Sequence, residues 1–224
     1  MHAPGPAATL TRPYACIRPL IGQLGAQIAD ALHTASWTEI IAAALAVLYL
    51  VLAIPQWRLC WVAAFISSCL YVVVMFGARL YMESVLNTFY AAMAVYGWVQ
   101  WSRGDRRQDG GVRRWSLGRH ALGFAAVLVC SSCSAYVLRR YTPAAWPFVD
   151  SMVTWSSAFA TYLVAIKVYE NWHWWLAIDS VAMFVYFRRE LYPTMLLFAV
   201  YLIMIFFGIR AWRRSLDRDA HAGA

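Results

Sequence analysis

The sequence predicts an all-α integral membrane protein of seven transmembrane helices, arranged as two parallel three-helix repeats around one linking helix. Three observations predict it. Hydrophobic residues make up 62% of the 224 residues and charged residues only 13%. The apolar excess is divided into seven runs of near membrane-spanning length. The chain also matches itself at one constant offset, the one that carries Leu80 onto Leu191. A soluble domain is about 45–50% apolar and about 25% charged, and a fold of this size has no interior large enough to hide the difference. In a bilayer the outward side chains can stay apolar.

A span needs about 20 mostly apolar residues. The seven runs are 36–54, 59–76, 80–101, 119–138, 145–165, 172–187 and 191–210. Before them lie residues 1–35, which lack a charged n-region followed by a continuous apolar core. No cleavable signal peptide is therefore expected, and Tyr14–His33 reads as a short amphipathic helix on the membrane surface. The connections are short except for 102–118, which holds Gly104, Gly110, Gly111 and several arginines and reads as a cytoplasmic basic loop. Residues 213–224 read as a polar tail.

The net charge is +8. In a soluble protein that balance raises the question of nucleic acid, but here the cations sit between apolar runs, as the positive-inside rule expects. With 102–118 in the cytoplasm, twelve of the nineteen basic residues fall on that side: Arg58, Arg103, Arg106, Arg107, Arg113, Arg114, Arg119, Lys167, Arg210, Arg213, Arg214 and Arg218. This places the N-terminus outside and the C-terminus inside, in a bacterial inner membrane, with the lipid bilayer and not nucleic acid as the partner surface.

The chemistry-bearing motifs of enzymes are missing from the sequence. It has no P-loop, G-x-S-x-G, H-E-x-x-H or acid-rich metal cluster. Cys130 and Cys133 form a C-x-x-C inside a greasy run with no further ligands beside it, so they read as small packing residues. The single lysine, Lys167, closes the fifth span, whereas a retinal pigment needs one in its last helix. The expectation is a non-enzyme without metal or cofactor.

At the offset of the self-match, Leu80-Tyr81 falls on Leu191-Tyr192, Tyr90 on Tyr201, Met93 on Met204, Gly97 on Gly208 and Trp101 on Trp212. Trp61 falls on Trp172 and Glu39 on Asp150. Residues 36–101 and 145–212 thus read as two copies of one unit. Each has three spans and ends on the side opposite its start, so one more span, 119–138, must return the chain. That 3+1+3 plan is the arrangement of SWEET-class facilitators, and such repeat transporters bind substrate near the midplane between the repeats.

Polar groups inside a membrane are costly and point to function by default. Asn171, Trp172, Trp175 and Asp179 share a face of the sixth span. Glu83, Asn87, Tyr90, Trp98 and Trp101 form a stripe on the third, and Asp150, Thr154, Ser157 and Thr161 one on the fifth. Hydroxyl stripes also serve to bond neighbouring helices, and tryptophans form interfacial belts. Taken together, however, these groups read as the lining of a path with an aromatic cage and acids nearby. Such a cage suits a flat cationic ring, since a cation gains about 0.5–2 kcal/mol over an aromatic face. Asparagine and hydroxyls suit an amide or a sugar.

The runs Tyr96-Gly97-Trp98-Val99-Gln100-Trp101 and Glu170-Asn171-Trp172-His173-Trp174-Trp175, with Ala78-Arg79-Leu80-Tyr81 and Leu191-Tyr192, resemble the bacterial Pnu-type nicotinamide riboside transporters over roughly residues 37–214. The resemblance implies a SWEET-like fold and a homotrimer. It also implies transport of a cationic pyridinium riboside by facilitated diffusion, made one-way when a cytoplasmic kinase phosphorylates the product. By the same resemblance Asn171, Trp172 and Trp175 contact the ligand, and Trp98 and Trp101 pack around or gate it. Asn87 departs from the family, where glutamine is expected. Related members serve thiamine or riboflavin, so the cargo stays open between these vitamins. A ligand-binding membrane sensor without flux is the alternative from another class.

Overall fold

The computed structural model describes residues 22, 25, 26, 29, 30, 36–77, 81–107, 111–141, 146–188 and 192–222. Among them are seven long helices: α1 (Trp37–Ala53), α2 (Cys60–Gly77), α3 (Tyr81–Arg107), α4 (Leu117–Tyr141), α5 (Pro147–Ala165), α6 (Asn171–Arg188) and α7 (Tyr192–Ala222). The surface helix expected over 14–33 lies outside the described residues, apart from Gly22, Gly25, Ala26, Ala29 and Asp30, which are helical and exposed. Two helices overrun their apolar segments. α3 continues to Arg107, into the expected basic loop, and α7 to Ala222, through the expected polar tail. Arginine disfavours lipid but is a good helix former, so hydropathy marks where a helix leaves the membrane and not where it ends.

The ends of the helices follow local chemistry. Ser36 and Glu39 form a capping box ahead of α1: the Ser36 hydroxyl accepts the Glu39 N–H at 3.3 Å, and the Glu39 carboxylate accepts the Ser36 N–H at 2.6 Å. α5 opens on Pro147, where a missing N–H costs nothing. α1 stops ahead of Pro55, and Gln56 in the following turn takes φ 62°. The turn after α5 repeats this geometry at the offset of the self-match, with Lys167 at φ 54°. Trp57 N–H donates to the Leu52 carbonyl at 3.0 Å, as Val168 N–H does to Leu163 at 2.9 Å. Gln56 N–H donates to Ala53 at 3.1 Å, as Lys167 N–H does to Val164 at 2.9 Å. These are the bonds that close a helix through a left-handed residue, a role glycine normally fills. Gln56→Gly should therefore raise the melting temperature of the detergent-solubilised protein, by a gain of about 1 kcal/mol. A lower melting temperature would show that the Gln56 side chain contributes more than its backbone costs.

Three helices, α2, α4 and the Tyr192–Arg218 part of α7, are long and apolar enough to cross a membrane by composition alone, and α1 is a shorter apolar helix. The other three, α3, α5 and α6, carry the polar stripes. α2 packs between α1 and α3, and α6 between α5 and α7. α3 also packs on α5, and α1 touches α7. The six helices therefore close into a ring in the order α1, α2, α3, α5, α6, α7, with α4 outside against α5. Large apolar side chains such as Phe76, Val85, Val129 and Phe206 stay exposed on the outer faces, as a lipid-facing surface requires.

The best-buried side chains gather at the end of the ring that holds the two matched turns. Trp61, Trp101, Trp172 and Trp212 are all at or below 2% exposure. Trp61 meets Trp101 edge-on at 5.4 Å, Trp172 meets Trp212 edge-on at 5.6 Å, and Trp101 meets Trp212 at 6.3 Å. Gly97 lies against the Trp61 indole and Gly208 against that of Trp172. The Trp101 indole N–H donates to the Val164 and Ala165 carbonyls at 3.3 and 3.1 Å, and the Trp212 N–H to the Ala53 carbonyl at 3.1 Å. Each half thus reaches across to the end of the other half's first helix.

The 111–116 segment straps the second turn. Arg113 N–H donates to the Lys167 carbonyl at 3.0 Å, and the Arg113 carbonyl accepts the Tyr169 N–H at 2.9 Å. Glu170 accepts the Trp115 N–H at 3.2 Å and lies 3.6 Å from His120, whose Nδ1 accepts the Trp174 indole N–H at 3.4 Å. This network joins the start of α4 to the start of α6.

Candidate functional site

Of the groups on the α3, α5 and α6 stripes, Tyr90, Ser157 and Asp179 lie near one another, while Glu83 is exposed. Asp179 lies midway along α6 and is only 4% exposed. Among the described residues it makes no hydrogen bond or ion pair. A carboxylate at that depth costs about 2.5–3.5 kcal/mol on insertion scales, so its environment calls for a partner. Tyr90 of α3 lies close to Ser157 of α5 and within electrostatic reach of Asp179 and Glu83. Glu83 in turn lies within reach of Asp150.

The remaining residues of the polar stripes spend their donors on their own helices. Asn87 donates its amide N–H to the Glu83 carbonyl at 2.9 Å, Thr154 its hydroxyl to Asp150 at 2.9 Å, and Thr161 to Ser157 at 2.8 Å. Such back-bonds satisfy the donor and leave oxygen lone pairs for another partner. Asn171, fully buried at the start of α6, donates to the Val168 carbonyl at 2.6 Å while its side-chain oxygen is unpaired.

The tryptophans divide by what covers their faces. Trp98 has the Arg58 guanidinium over its ring at 5.7 Å, and Trp101 has the Lys167 ammonium at 4.9 Å. Trp172 is 1% exposed, held between Gly208 and Trp212, with its indole N–H unpaired. Trp175 is only partly buried and has no aromatic or cationic partner among the described residues. It packs against the tryptophan core one turn from Asp179, with part of its indole still accessible.

Tyr201 of α7 was not among the sequence candidates. It lies within electrostatic reach of both Asp179 and Tyr71 of α2. The signal for it was already in the chain, because Tyr201 is the residue that the self-match pairs with Tyr90. Among the described residues no group of three or more metal-ligating side chains occurs.

A ring of helices with an apolar outer skin, and inside it a buried acid and hydroxyls, is the plan of a polytopic membrane protein. The model of the nicotinamide mononucleotide transporter family matches residues 36–214. The chain belongs to that family and is a multi-pass bacterial membrane transporter. It is 26% identical to the riboflavin/roseoflavin transporter RibM of Streptomyces davaonensis, over 82% of this chain and 88% of that one. It is also 26% identical to the nicotinamide riboside transporter PnuC of Escherichia coli, over 67% of this chain and 74% of that one. Its fold matches a crystal structure of the vitamin B3 transporter PnuC with a TM-score of 0.68 at 20% identity, covering 89% of this chain and 90% of that one.

Proposed function

We propose that this protein takes up nicotinamide riboside by facilitated diffusion, with alternating access around a fixed site lined by Trp175, Asp179, Tyr90, Ser157, Asn87 and Thr154. The carrying observation is the buried Asp179 carboxylate, without a hydrogen-bond or ion-pair partner among the described residues, one turn from the partly accessible indole of Trp175. A pyridinium stacked on that indole brings the positive charge the acid lacks. Its ribose suits the neighbouring hydroxyls and the Asn87 oxygen. Asn171, Trp172, Trp98 and Trp101 close this site at the tryptophan end.

The 3+1+3 parallel, SWEET-like plan belongs to the same proposal. Its support is the matched turns, the matched glycine–tryptophan contacts and the reciprocal indole bonds, all at one offset. On this reading residues 36–101 and 145–212 rock against each other and 119–138 is the linker. The side bearing Arg58, Arg113, Arg114 and Lys167 is cytoplasmic, which leaves the N-terminus outside. The protein works as a homotrimer in the inner membrane, and a cytoplasmic kinase traps the imported nucleoside. Family resemblance alone supports the trimer and the kinase.

Riboflavin is the second reading, favoured by the relative RibM, which the chain matches over most of its length. Thiamine, also a cationic heteroaromatic, is the third. The test is uptake into proteoliposomes of labelled nicotinamide riboside, riboflavin and thiamine, with and without a proton gradient. Saturable nicotinamide riboside uptake that the gradient does not alter is the expected result. Preference for another vitamin would change the cargo, gradient-dependent flux would overturn the uncoupled mechanism, and binding without flux would favour a sensor.

A further inference from the structure

The ring order puts α2 directly across from α6, and α2 brings Tyr71 within electrostatic reach of Tyr201, which is itself within reach of Asp179. Trp61, Ala64, Ser68 and Tyr71 follow helical spacing on one face. Their counterparts in the self-match are Trp172, Trp175, Asp179 and Ala182. Two of these pairs trade size. The large Trp175 answers the small Ala64, and the large Tyr71 answers the small Ala182.

Two polar groups on the α2 face lack hydrogen-bond partners among the described residues, and one of them, the Trp61 indole N–H, is fully buried. Ser68 is 7% exposed and makes no hydrogen bond among the described residues. Its neighbour Ser67 differs in this respect, donating to the Ala42 carbonyl at 2.7 Å. The Trp61 indole N–H is buried and unpaired, as is that of its counterpart Trp172. A buried hydroxyl or indole N–H is normally bonded. Here the orphans recur at equivalent positions on opposite sides of the ring, and Ser68 is the counterpart of the unpaired Asp179.

We propose that the Trp61–Ala64–Ser68 face of α2 is the second wall of the substrate site and sets its specificity. Ala64 leaves the room into which a ring stacked on Trp175 extends. Ser68 hydrogen-bonds a hydroxyl of the sugar or polyol end, which lies between it and Asp179. The proposal rests on the vitamin-transport reading above and adds to it the wall that limits ring size. A one-ring pyridinium leaves slack against Ala64, whereas a fused flavin ring fills it.

The test uses the full-length protein purified in detergent. Nicotinamide riboside binding is read by calorimetry and riboflavin binding by quenching of flavin fluorescence. Ser68→Ala should weaken whichever vitamin the wild type binds by roughly tenfold. Ala64→Trp should abolish its binding, and Ala64→Val, a smaller step that the helix tolerates, should weaken it to an intermediate extent and more for riboflavin than for nicotinamide riboside. Elution volume and melting temperature report whether each variant is folded. If the wild type binds and folded Ser68→Ala and Ala64→Val bind within twofold of it, the second wall is wrong while the transport reading stands. If the wild type binds neither of these nor thiamine, read by the same calorimetry, the transport reading fails and takes this proposal with it.

Discussion

Asp179→Asn should give a protein that melts higher and binds worse. The carboxylate is 4% exposed and without a hydrogen-bond or ion-pair partner among the described residues. Neutralising it removes an uncompensated buried charge at almost unchanged shape, which should stabilise the empty protein by about 1–3 kcal/mol. On the proposed reading the same change removes the anion that would face a cationic ring, and charge-assisted hydrogen bonds are worth about 1.5–3 kcal/mol. Affinity for nicotinamide riboside should therefore fall by roughly ten- to a hundredfold. Thermal unfolding and calorimetry on one preparation read both effects. A variant that loses stability together with affinity would assign Asp179 to the scaffold. Unchanged affinity for nicotinamide riboside, alongside a loss for riboflavin, would move the cargo to a neutral flavin whose ring N–H the acid accepts.

Gly97→Ala and Gly208→Ala should each destabilise the protein strongly, and to similar extents. A Cβ at Gly97 would overlap the Trp61 indole, and one at Gly208 that of Trp172. Both indoles are rigid, buried and wedged against a second tryptophan at right angles, so neither can swing aside. Overpacking of this kind costs about 1–3 kcal/mol. Trimming the opposing ring tests the cause, because Trp61→Leu should relieve Gly97→Ala and leave Gly208→Ala as damaged as before. A double-mutant cycle on melting temperatures measures that coupling. Additive effects for the 61/97 pair would mean that the glycine is needed for helix geometry and not for the indole.

The equivalence of these two contacts also bears on how the halves meet. Trp101 and Trp212 each donate an indole N–H to the far half's first helix, so the tryptophan end of the ring is closed by bonds that cross between halves. On the alternating-access reading proposed above, those are the bonds that would have to break for the site to open towards that side.

Much of this was legible in the chain. Seven apolar runs at bilayer length reflect a requirement of each helix separately: every backbone group must bond within its own span, and every lipid-facing side chain must be apolar. The match of the chain with itself placed Gly97 with Gly208, Trp61 with Trp172 and Tyr90 with Tyr201 before any coordinates, and helical spacing put Asn171, Trp172, Trp175 and Asp179 on one face. Local and periodic signals of this kind survive in one dimension.

What only the tertiary structure decided is which groups have partners. Trp98, Trp101, Trp172 and Trp175 are the same residue in the sequence. One is capped by Arg58, one by Lys167, one is sealed against a glycine and one has no ring or cation partner among the described residues, because cations and glycine arrive from distant turns and helices. Ser67 and Ser68 are likewise neighbours of one type, yet only Ser67 finds a carbonyl on α1. A side chain's chemistry is written in its type. Whether that chemistry is already satisfied depends on atoms far away along the chain, and contact at that range follows from packing rather than from periodicity.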